Sequence, residues 1–144
     1  MQTWNITPAP APTTTPSQTS SKEEKNPVDP QVRQQIEAVE MKFQEAYNNR
    51  DTAAIAALYT GDAVEVHTWQ GTFSGQEAIR KMFEDTFALS PGKMVNKLLE
   101  VHQTWTGDIC GMMDTSVGLT KGHVIRIYVP SADTWKIRMT YVRF

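Results

Sequence analysis

Apolar residues recur every three or four positions between Val32 and Tyr47, and charged residues fill many of the positions between them. This spacing puts the apolar side chains on one face and predicts an amphipathic helix of about 20 residues. Asp29 and Pro30 suit its start, because aspartate caps free N–H groups and proline fits the first helical position. The folded part of the chain is therefore predicted to open with this helix.

A second, shorter helix and a strand are predicted directly after the first helix. Asp51 is placed to cap a helix over Thr52–Tyr59, and Gly61 is placed to close it in the left-handed conformation that glycine tolerates. The segment Ala63–His67 has the composition and alternation of a strand.

A third helix is predicted to follow that strand. Ser74 and Glu77 stand three positions apart, the spacing of a capping box in which each side chain satisfies a backbone N–H of the first turn. The apolar residues that follow recur at helical spacing and predict its buried face: Ile79, Met82, Phe83 and Phe87.

From residue 93 onward the chain is predicted to be β-structure. Turn residues separate alternating segments and predict four antiparallel strands, which are Lys93–Thr106, Ile109–Thr120, His123–Val129 and Thr134–Phe144. Gly111 and Gly118 suit bends in these strands, so that the sheet can curve around the helices. Helices followed by a meander of long strands indicate the α+β class.

Composition and charge restrict the classes of function. A net charge of −2 gives no basis for expecting nucleic acid or a membrane as a partner, and no apolar run is long enough to span a bilayer. A single cysteine, Cys110, excludes an intrachain disulfide and suits a reducing compartment. The N-terminus lacks the basic and apolar regions of a signal peptide, so a cytoplasmic location is expected, with export after signal removal left open.

Residues 1–28 differ in composition from the rest of the chain. They are rich in proline, threonine and serine and have few aliphatic side chains, which predicts a disordered tail ahead of one domain at 29–144. Trp4 and Ile6 are the exceptions in this tail. They are either stray apolar residues or a short hook that docks on the domain or on a partner.

Three motifs relate the chain to a known family. YNNRD, ALYTGDAV and GQEAI follow one another between residues 47 and 79. This order resembles the opening of the nuclear transport factor 2-like superfamily, particularly its SnoaL-like and ketosteroid-isomerase-like proteins, and the resemblance extends over roughly residues 30–144. It implies a cone-shaped α+β barrel in which three N-terminal helices pack in a strongly curved antiparallel sheet, with a pocket at the open end.

His67 is the first candidate for chemistry. Aligned through Asp62-Ala63-Val64, it falls where ketosteroid isomerases carry their catalytic aspartate, so the resemblance implies a general acid or base at this position. The alternative is a strand-end histidine that is hydrogen-bonded at the rim of the fold. Glu65 lies on the same side of the strand and either orients His67 or faces solvent. Trp69 is either an aromatic side chain at the pocket mouth or a dimer contact.

Asp114 is the second candidate. The register implied by the resemblance places Met112 and Asp114 on the inner face of their strand, where a buried carboxylate would accept a proton or anchor a substrate. Alternatively, Asp114 is exposed on the convex face or paired with Arg126 or Arg138. With His67 it would form a base and its orienting carboxylate.

Alternation along the last two strands predicts that their apolar sets face inward. These sets are His123, Ile125, Ile127 and Val129 on one strand and Trp135, Ile137, Met139 and Tyr141 on the other. Within the resemblance, Phe43 stands where ketosteroid isomerases carry an oxyanion-binding tyrosine, and Ile125 where they carry a protonated aspartate. Because both donors are missing, the standard ketosteroid isomerase mechanism is not expected.

Neither a cofactor nor a metal ion is expected. His67, His102 and His123 stand on different predicted strands and lack the spacing of metal ligands. Cys110 has no base near it in the sequence and is expected to be an ordinary core residue. The sequence has no glycine-rich phosphate-binding loop.

The predicted function is the binding of a small hydrophobic molecule in an apolar pocket. Its lining is predicted to be Phe43, Tyr47, Leu58, Trp69, Met82, Phe83, Met112 and Trp135, with His67 and Asp114 as its polar groups. One hypothesis is a cofactor-independent isomerase, cyclase or hydratase that uses His67 as general acid or base. The alternative is a non-catalytic ligand-binding or association module, since one fold hosts many functions.

A homodimer is implied by the resemblance, because members of the superfamily often pair through the outer face of the sheet. Arg126, Tyr128 and Arg138 are predicted to lie on that face, where they suit a mixed polar interface. The expected partners are therefore a small hydrophobic ligand and a second copy of the chain.

Overall fold

The computed structural model describes residues 28–144, which form three helices and one six-stranded sheet. The helices are α1 (Pro30–Asn48), α2 (Thr52–Ala56) and α3 (Gln76–Ala88). The strands are β1 (Tyr59–His67), β2 (Gly71–Ser74), β3 (Met94–Gln103), β4 (Ile109–Val117), β5 (Thr120–Ser131) and β6 (Thr134–Arg143). The predicted tail lies outside the described residues apart from Val28, which packs against the hydrophobic core. The disorder of residues 1–27 stays a prediction.

The starts of α1 and α2 follow the local signals in the sequence. The carboxylate of Asp29 accepts a hydrogen bond from the backbone N–H two residues later at 2.8 Å, and that of Asp51 from the N–H three residues later at 3.0 Å. Both predicted caps are confirmed. The predicted capping box of α3 is wrong, because Ser74 belongs to β2 and Gly75 is the N-cap, with no side-chain hydrogen bond.

α2 ends at Ala56, earlier than predicted. Tyr59 begins β1 and is fully buried, and Gly61 lies within that strand rather than closing a helix. The carbonyl of Leu58 accepts a hydrogen bond from the backbone N–H of Ile137 in β6 at 2.8 Å. Pairing with this distant strand outweighs the local preference for helix.

The strands follow the order β2-β1-β6-β5-β4-β3, with β2 and β3 at the two edges of an open sheet. β1 and β6 run parallel and all other neighbours antiparallel, so the sheet is mixed rather than purely antiparallel. α1 packs against β3 and β6, and α3 packs against β1 and β2. The predicted α+β class, with helices packed on one face of the sheet, is confirmed.

The inward face of β5 is opposite to the one predicted. Val124, Arg126 and Tyr128 are buried, whereas Ile125 is exposed on the outer face. Hydrophobicity misassigned this strand because its inward face carries a charged residue, Arg126, whose partner Glu40 comes from the distant helix α1.

The inward face of β4 is also opposite to the one predicted from the resemblance. The buried residues of this strand are Ile109, Gly111, Met113 and Thr115, so Met112 and Asp114 lie on the outer face. β4 connects to β5 through the turn Gly118-Leu119, in which Gly118 has a φ of 61°, and not through the predicted Lys121-Gly122.

β6 changes face along its length. Ile137 is buried as predicted, but a register shift opposite Tyr128 follows it, and beyond the shift the buried residues are Thr140 and Val142. The predicted inward residues Met139 and Tyr141 are exposed instead, as are His123 and Ile125 on β5, where Ile125 pairs with Tyr141. An extra residue at a bulge reverses which side chains face the core.

Candidate functional site

A cavity of about 610 Å³ lies between the helices and the inner face of the sheet. Of the residues predicted to line a pocket, it contains His67 together with Phe43, Tyr47, Trp69, Met82 and Phe83. Leu58, Met112 and Trp135 do not line it. Leu58 and Trp135 pack against the core, where the indole N–H of Trp135 donates to Gln35 at 2.8 Å, and Met112 lies on the outer face of β4.

His67 forms part of the cavity wall at the end of β1 and is 8% exposed. Its Nε2 lies 2.8 Å from Oε2 of Glu65, and its Nδ1 lies 2.6 Å from Oε1 of Gln70. The ring also lies against two aromatic side chains, with centroid distances of 5.0 Å to Trp69 and 5.9 Å to Phe73. Both ring nitrogens therefore have a partner, and the ring is held in one orientation.

Glu65 is 2% exposed and holds His67 from behind. Its other carboxylate oxygen, Oε1, accepts a hydrogen bond from the hydroxyl of Tyr59 at 2.6 Å. Burial, and then the Glu65 charge, raise the pKa of Tyr59 well above its usual value, so this phenol is a neutral donor. Tyr59, Glu65, His67 and Gln70 thus form a continuous hydrogen-bonded chain that ends at the cavity.

Arg126 is a charged residue of the cavity wall and is 3% exposed. One guanidinium nitrogen pairs with Glu40, and Nε donates to Thr140 at 3.2 Å. The hydroxyl of Tyr128 donates to the second oxygen of Glu40. The guanidinium carbon also lies 4.0 Å from the ring centroid of Phe43, within the range of a cation–π interaction.

The charge states of this cluster follow from its contacts. Burial is the largest single influence on Arg126 and lowers its pKa, but the neighbouring groups, Glu40 first among them, together raise the pKa above its usual value, so the guanidinium stays charged. Burial and then Glu40 raise the pKa of Tyr128 well above its usual value. Asn96, which also lines the cavity, donates to Glu40 at 3.2 Å and accepts from Thr115 at 2.6 Å.

Asp114 does not meet His67. Its carboxylate is 50% exposed on the outer face of the sheet and lies 2.8 Å from Nδ1 of His123. The predicted inward placement of Asp114 is wrong, because β4 turns its other face to the helices. Glu65, two residues before His67 on the same strand, takes the place of its carboxylate partner.

Comparison with known proteins identifies the family. The profile of the SnoaL-like domain family matches residues 41–138, more than half of the chain. The chain belongs to the SnoaL-like family. No curated protein matches its sequence.

Solved structures agree with this assignment at the level of the fold. The SnoaL-like chain superposes on a ketosteroid isomerase-like protein from Erwinia carotovora atroseptica with a TM-score of 0.66 and 19% identity, covering 81% of this chain and 97% of that one. ActVI-ORFA from Streptomyces coelicolor gives 0.67 and 16% identity, covering 78% and 96%. A nuclear transport factor 2-like protein of unknown function from Pseudomonas putida gives 0.64 and 18% identity, covering 81% and 89%.

Within residues 28–144, no group of three or more histidine, cysteine, aspartate or glutamate side chains is placed to hold a metal ion. In the same part of the chain, no helix is both long and apolar enough to cross a membrane. Cys110 is partly buried, and burial raises the pKa of its thiol, which does not favour the nucleophilic thiolate.

Sequence reasoning missed Glu40, Arg126 and Gln70 as site residues of the SnoaL-like domain. The position of Glu40 in the sequence did indicate that its side chain is buried. It follows Ile36 by four positions and precedes Phe43 by three, and so lies on the apolar face of α1. A carboxylate on such a face requires a buried partner, and Arg126 is that partner. Gln70 carried no such signal, because a glutamine in a turn is ordinary.

Proposed function

We propose that this SnoaL-like protein binds a small hydrophobic molecule in the cavity and transfers a proton on it through His67, as a cofactor-independent isomerase, cyclase or hydratase. The observation that carries the proposal is the hydrogen-bonded chain from Tyr59 through Glu65 to His67 at the wall of a mostly apolar cavity. Small-molecule sites have this composition, an apolar surface with a few placed polar groups.

The size and lining of the cavity support a hydrophobic ligand. Its volume of about 610 Å³ lies within the range of about 300–1,000 Å³ that is usual for small-molecule sites. Aromatic and methionine side chains from two helices cover one side of it: Phe43, Tyr47, Met82 and Phe83. Flat, ring-containing molecules suit such a lining, because aromatic rings pack favourably against one another.

The contacts of His67 support proton transfer. An imidazole whose far nitrogen contacts a buried carboxylate is the arrangement of the base in catalytic dyads and triads, where the carboxylate fixes the ring and stabilises its protonated form. Glu65 is therefore a positioning residue, and Tyr59 holds Glu65 in turn. Glu65 and His67 both line the cavity, but the two carboxylate oxygens of Glu65 are already hydrogen-bonded, so His67 is the group that we propose acts on the ligand.

Ligand-induced thermal shifts test this proposal. Wild type, His67→Ala and His123→Ala are screened against steroids, polyketide-like phenols and fatty acids. We expect one hydrophobic class to raise the Tm of wild type and His123→Ala alike, because His123 lies on the outer face. The same class should change the Tm of His67→Ala by a different amount. Turnover assays then use the class of compound that binds.

The outcomes separate the hypotheses. If no compound shifts any variant, the proposal of a hydrophobic ligand fails. If a class binds through the cavity but is not converted, the protein is a non-catalytic ligand-binding module, the alternative function of this fold.

A homodimer is the second part of the proposal, and the outer face of the sheet supports it. Ile125, Met139 and Tyr141 are exposed there on adjacent strands, with Ile125 directly opposite Tyr141. Arg126 and Tyr128, two of the three polar residues predicted for this surface, are buried inside, whereas the third, Arg138, is exposed, so apolar side chains make up more of the surface than predicted. An exposed group of large apolar side chains is typical of an interaction surface.

The mass of the protein in solution tests the dimer. Ile125→Glu is expected to convert a dimer into a monomer in light scattering coupled to gel filtration, because it places a charge in the centre of the apolar surface. Leu89→Glu, an exposed leucine at the end of α3, is the matched control and should keep the wild-type mass. A monomeric wild type would exclude this dimer.

A further inference from the structure

Each ring nitrogen of His67 faces an oxygen atom. Nε2 contacts the Glu65 carboxylate at 2.8 Å and Nδ1 contacts the side-chain amide oxygen of Gln70 at 2.6 Å. In the orientation that the Gln70 amide adopts, its oxygen faces the ring and has no proton to give, so Nδ1 is the donor in this contact. The ring therefore presents an N–H group toward the turn that covers it.

The same contacts determine where a second proton lies. A carboxylate that already accepts the Tyr59 hydroxyl can contact Nε2 at 2.8 Å only if a proton lies between them. With Nδ1 also protonated, the Glu65–His67 pair as a whole is neutral. Glu40 and Arg126, the other buried charged side chains of the described residues, are hydrogen-bonded to each other. The cluster is thus balanced, and an unbalanced buried charge would be costly.

The position of Gln70 would allow a ligand to displace its side chain from His67. The side chain of Gln70 is exposed and lines the cavity. Gln70 belongs to the turn 68–70 that joins β1 to β2, and Gly71, the first residue of β2, has a φ of 102°. Among residues 28–144, the contact with His67 is the one hydrogen bond of its side chain. A rotation about its side-chain bonds would free Nδ1 without moving the strands.

We propose that Gln70 occupies, with its amide oxygen, the hydrogen-bond position on His67 that the ligand takes. Binding then displaces Gln70, and the ligand presents a carbonyl or equivalent acceptor oxygen to the Nδ1–H group. Gln70 is in this sense a specificity-determining residue. The inference rests on the proposed function, since it concerns the ligand of the same cavity, and it assigns His67 the role of donor toward that oxygen.

Nuclear magnetic resonance of the histidine nitrogens tests the contact without any ligand. In wild-type protein labelled with 15N, Nδ1 of His67 is expected to give the signal of a protonated nitrogen. Gln70→Leu removes the acceptor and keeps the bulk of the side chain, so the Nδ1 signal should shift. The same change at Gln34, an exposed residue of α1 outside the cavity lining, should leave it in place. An unprotonated Nδ1 in wild type would overturn the proposal.

A matched pair of probes tests ligand selection. α-Tetralone and tetralin share a fused ring skeleton and differ in one carbonyl group. Gln70→Leu is expected to strengthen tetralone binding by about three- to tenfold, the usual net effect of removing one competing hydrogen bond. Tetralin lacks the acceptor oxygen, so the ratio of the two Kd values is the readout, and Gln34→Leu should leave that ratio at its wild-type value.

The results distinguish this inference from the proposed function. If both probes bind and Gln70→Leu leaves their ratio of Kd values unchanged, the role of Gln70 is wrong while the hydrophobic cavity stands. If neither probe binds wild type or Gln70→Leu at millimolar concentration, selection by a displaced Gln70 is overturned, and the proposed function is then judged by its broader panel.

Discussion

Glu40 and Arg126 lie 86 residues apart in the sequence and form an ion pair that is almost fully buried between α1 and the sheet. The pair fixes the long helix over the floor of the cavity, because Glu40 comes from α1 and Arg126 from β5. The guanidinium also lies against Phe43, one turn further along α1. Packing and electrostatics therefore set the position of α1 together.

Removing one partner of this ion pair should destabilise the fold. Glu40→Ala is expected to lower the free energy of unfolding by about 3–5 kcal/mol, because it leaves the charge of Arg126 buried without its carboxylate. Glu37→Ala, on the same helix, removes an exposed contact with Arg33 and should cost less than about 1 kcal/mol. Urea unfolding of both variants measures the difference, and equal losses would show that the buried pair has no special role.

Gly111 makes room for Tyr128. A Cβ atom at position 111 would lie 2.9 Å from Cε1 of the Tyr128 ring, whose hydroxyl donates to Glu40. Gly111→Ala is therefore expected to destabilise the fold by about 1–3 kcal/mol through overpacking. Gly61→Ala adds the same methyl group where no atom lies within 4 Å, so its change should stay within about 1 kcal/mol. Thermal unfolding of the two variants checks this, and a smaller loss in Gly111→Ala would contradict it.

Alkaline pH should weaken the fold through its buried phenols. Burial raises the pKa values of Tyr59 and Tyr128 well above the usual value, while an unfolded tyrosine ionises near about pH 10. Their contribution to stability is complete below that pH and is lost as the pH rises toward the folded-state pKa values. Each phenol lowers the free energy of unfolding by at most about 1.4 kcal/mol for every unit by which the pH rises in this range.

Phenylalanine variants measure this effect. Urea unfolding between about pH 9 and 11 should show a steep decline in wild type and a shallower one in Tyr59→Phe and Tyr128→Phe. Both variants also lose one buried hydrogen bond, so they should already be less stable at pH 7 by about 1 kcal/mol or more. Identical slopes in all three proteins above pH 10 would refute the assignment.

Two carboxylates that contact histidines allow a matched test of the site. Glu65→Gln is expected to lower kcat for a converted substrate by about 100-fold or more, as loss of the orienting carboxylate does in catalytic triads. Asp114→Asn makes the same change beside His123, on the outer face, and should leave kcat as it is. The 15N signals of His67 should move in the first variant alone. An equal effect of both substitutions on kcat would count against the assignment of Glu65 as the positioning residue.

The sequence alone was sufficient for features set by local interactions. Asp29 and Asp51 cap their helices as predicted, and the buried positions of α1, which include Ile36, Val39 and Phe43, follow the predicted spacing of three and four residues. His67 was found through its alignment with a family position, and the structure places it at the cavity. These signals depend on residues within a few positions of one another, which is why they can be read from one sequence.

The strand faces could not be predicted in this way. Apolar character favoured Ile125 over Arg126 as the inward residue, yet Arg126 is inside because Glu40 and Thr140 satisfy it there. The register shift in β6 has no clear local signal, and it exchanges Tyr141 for Val142 on the inner face. Both errors come from partners far away in the sequence. Asp114 was placed inward by the register of the family resemblance, and β4 turns its other face to the helices.

The parallel pairing of β1 with β6 has a consequence for how the protein is made. Glu65 pairs with Thr140, and His67 with Val142, so the wall that carries the proposed chemistry is assembled from two distant parts of the chain. During synthesis the N-terminal part of a domain emerges first, and β1 then waits with one edge unpaired until β6 has left the ribosome. Closing so long a loop is slow, and an unpaired strand edge invites association with other chains. The interval before β6 arrives therefore leaves this edge of β1 open to association with other chains.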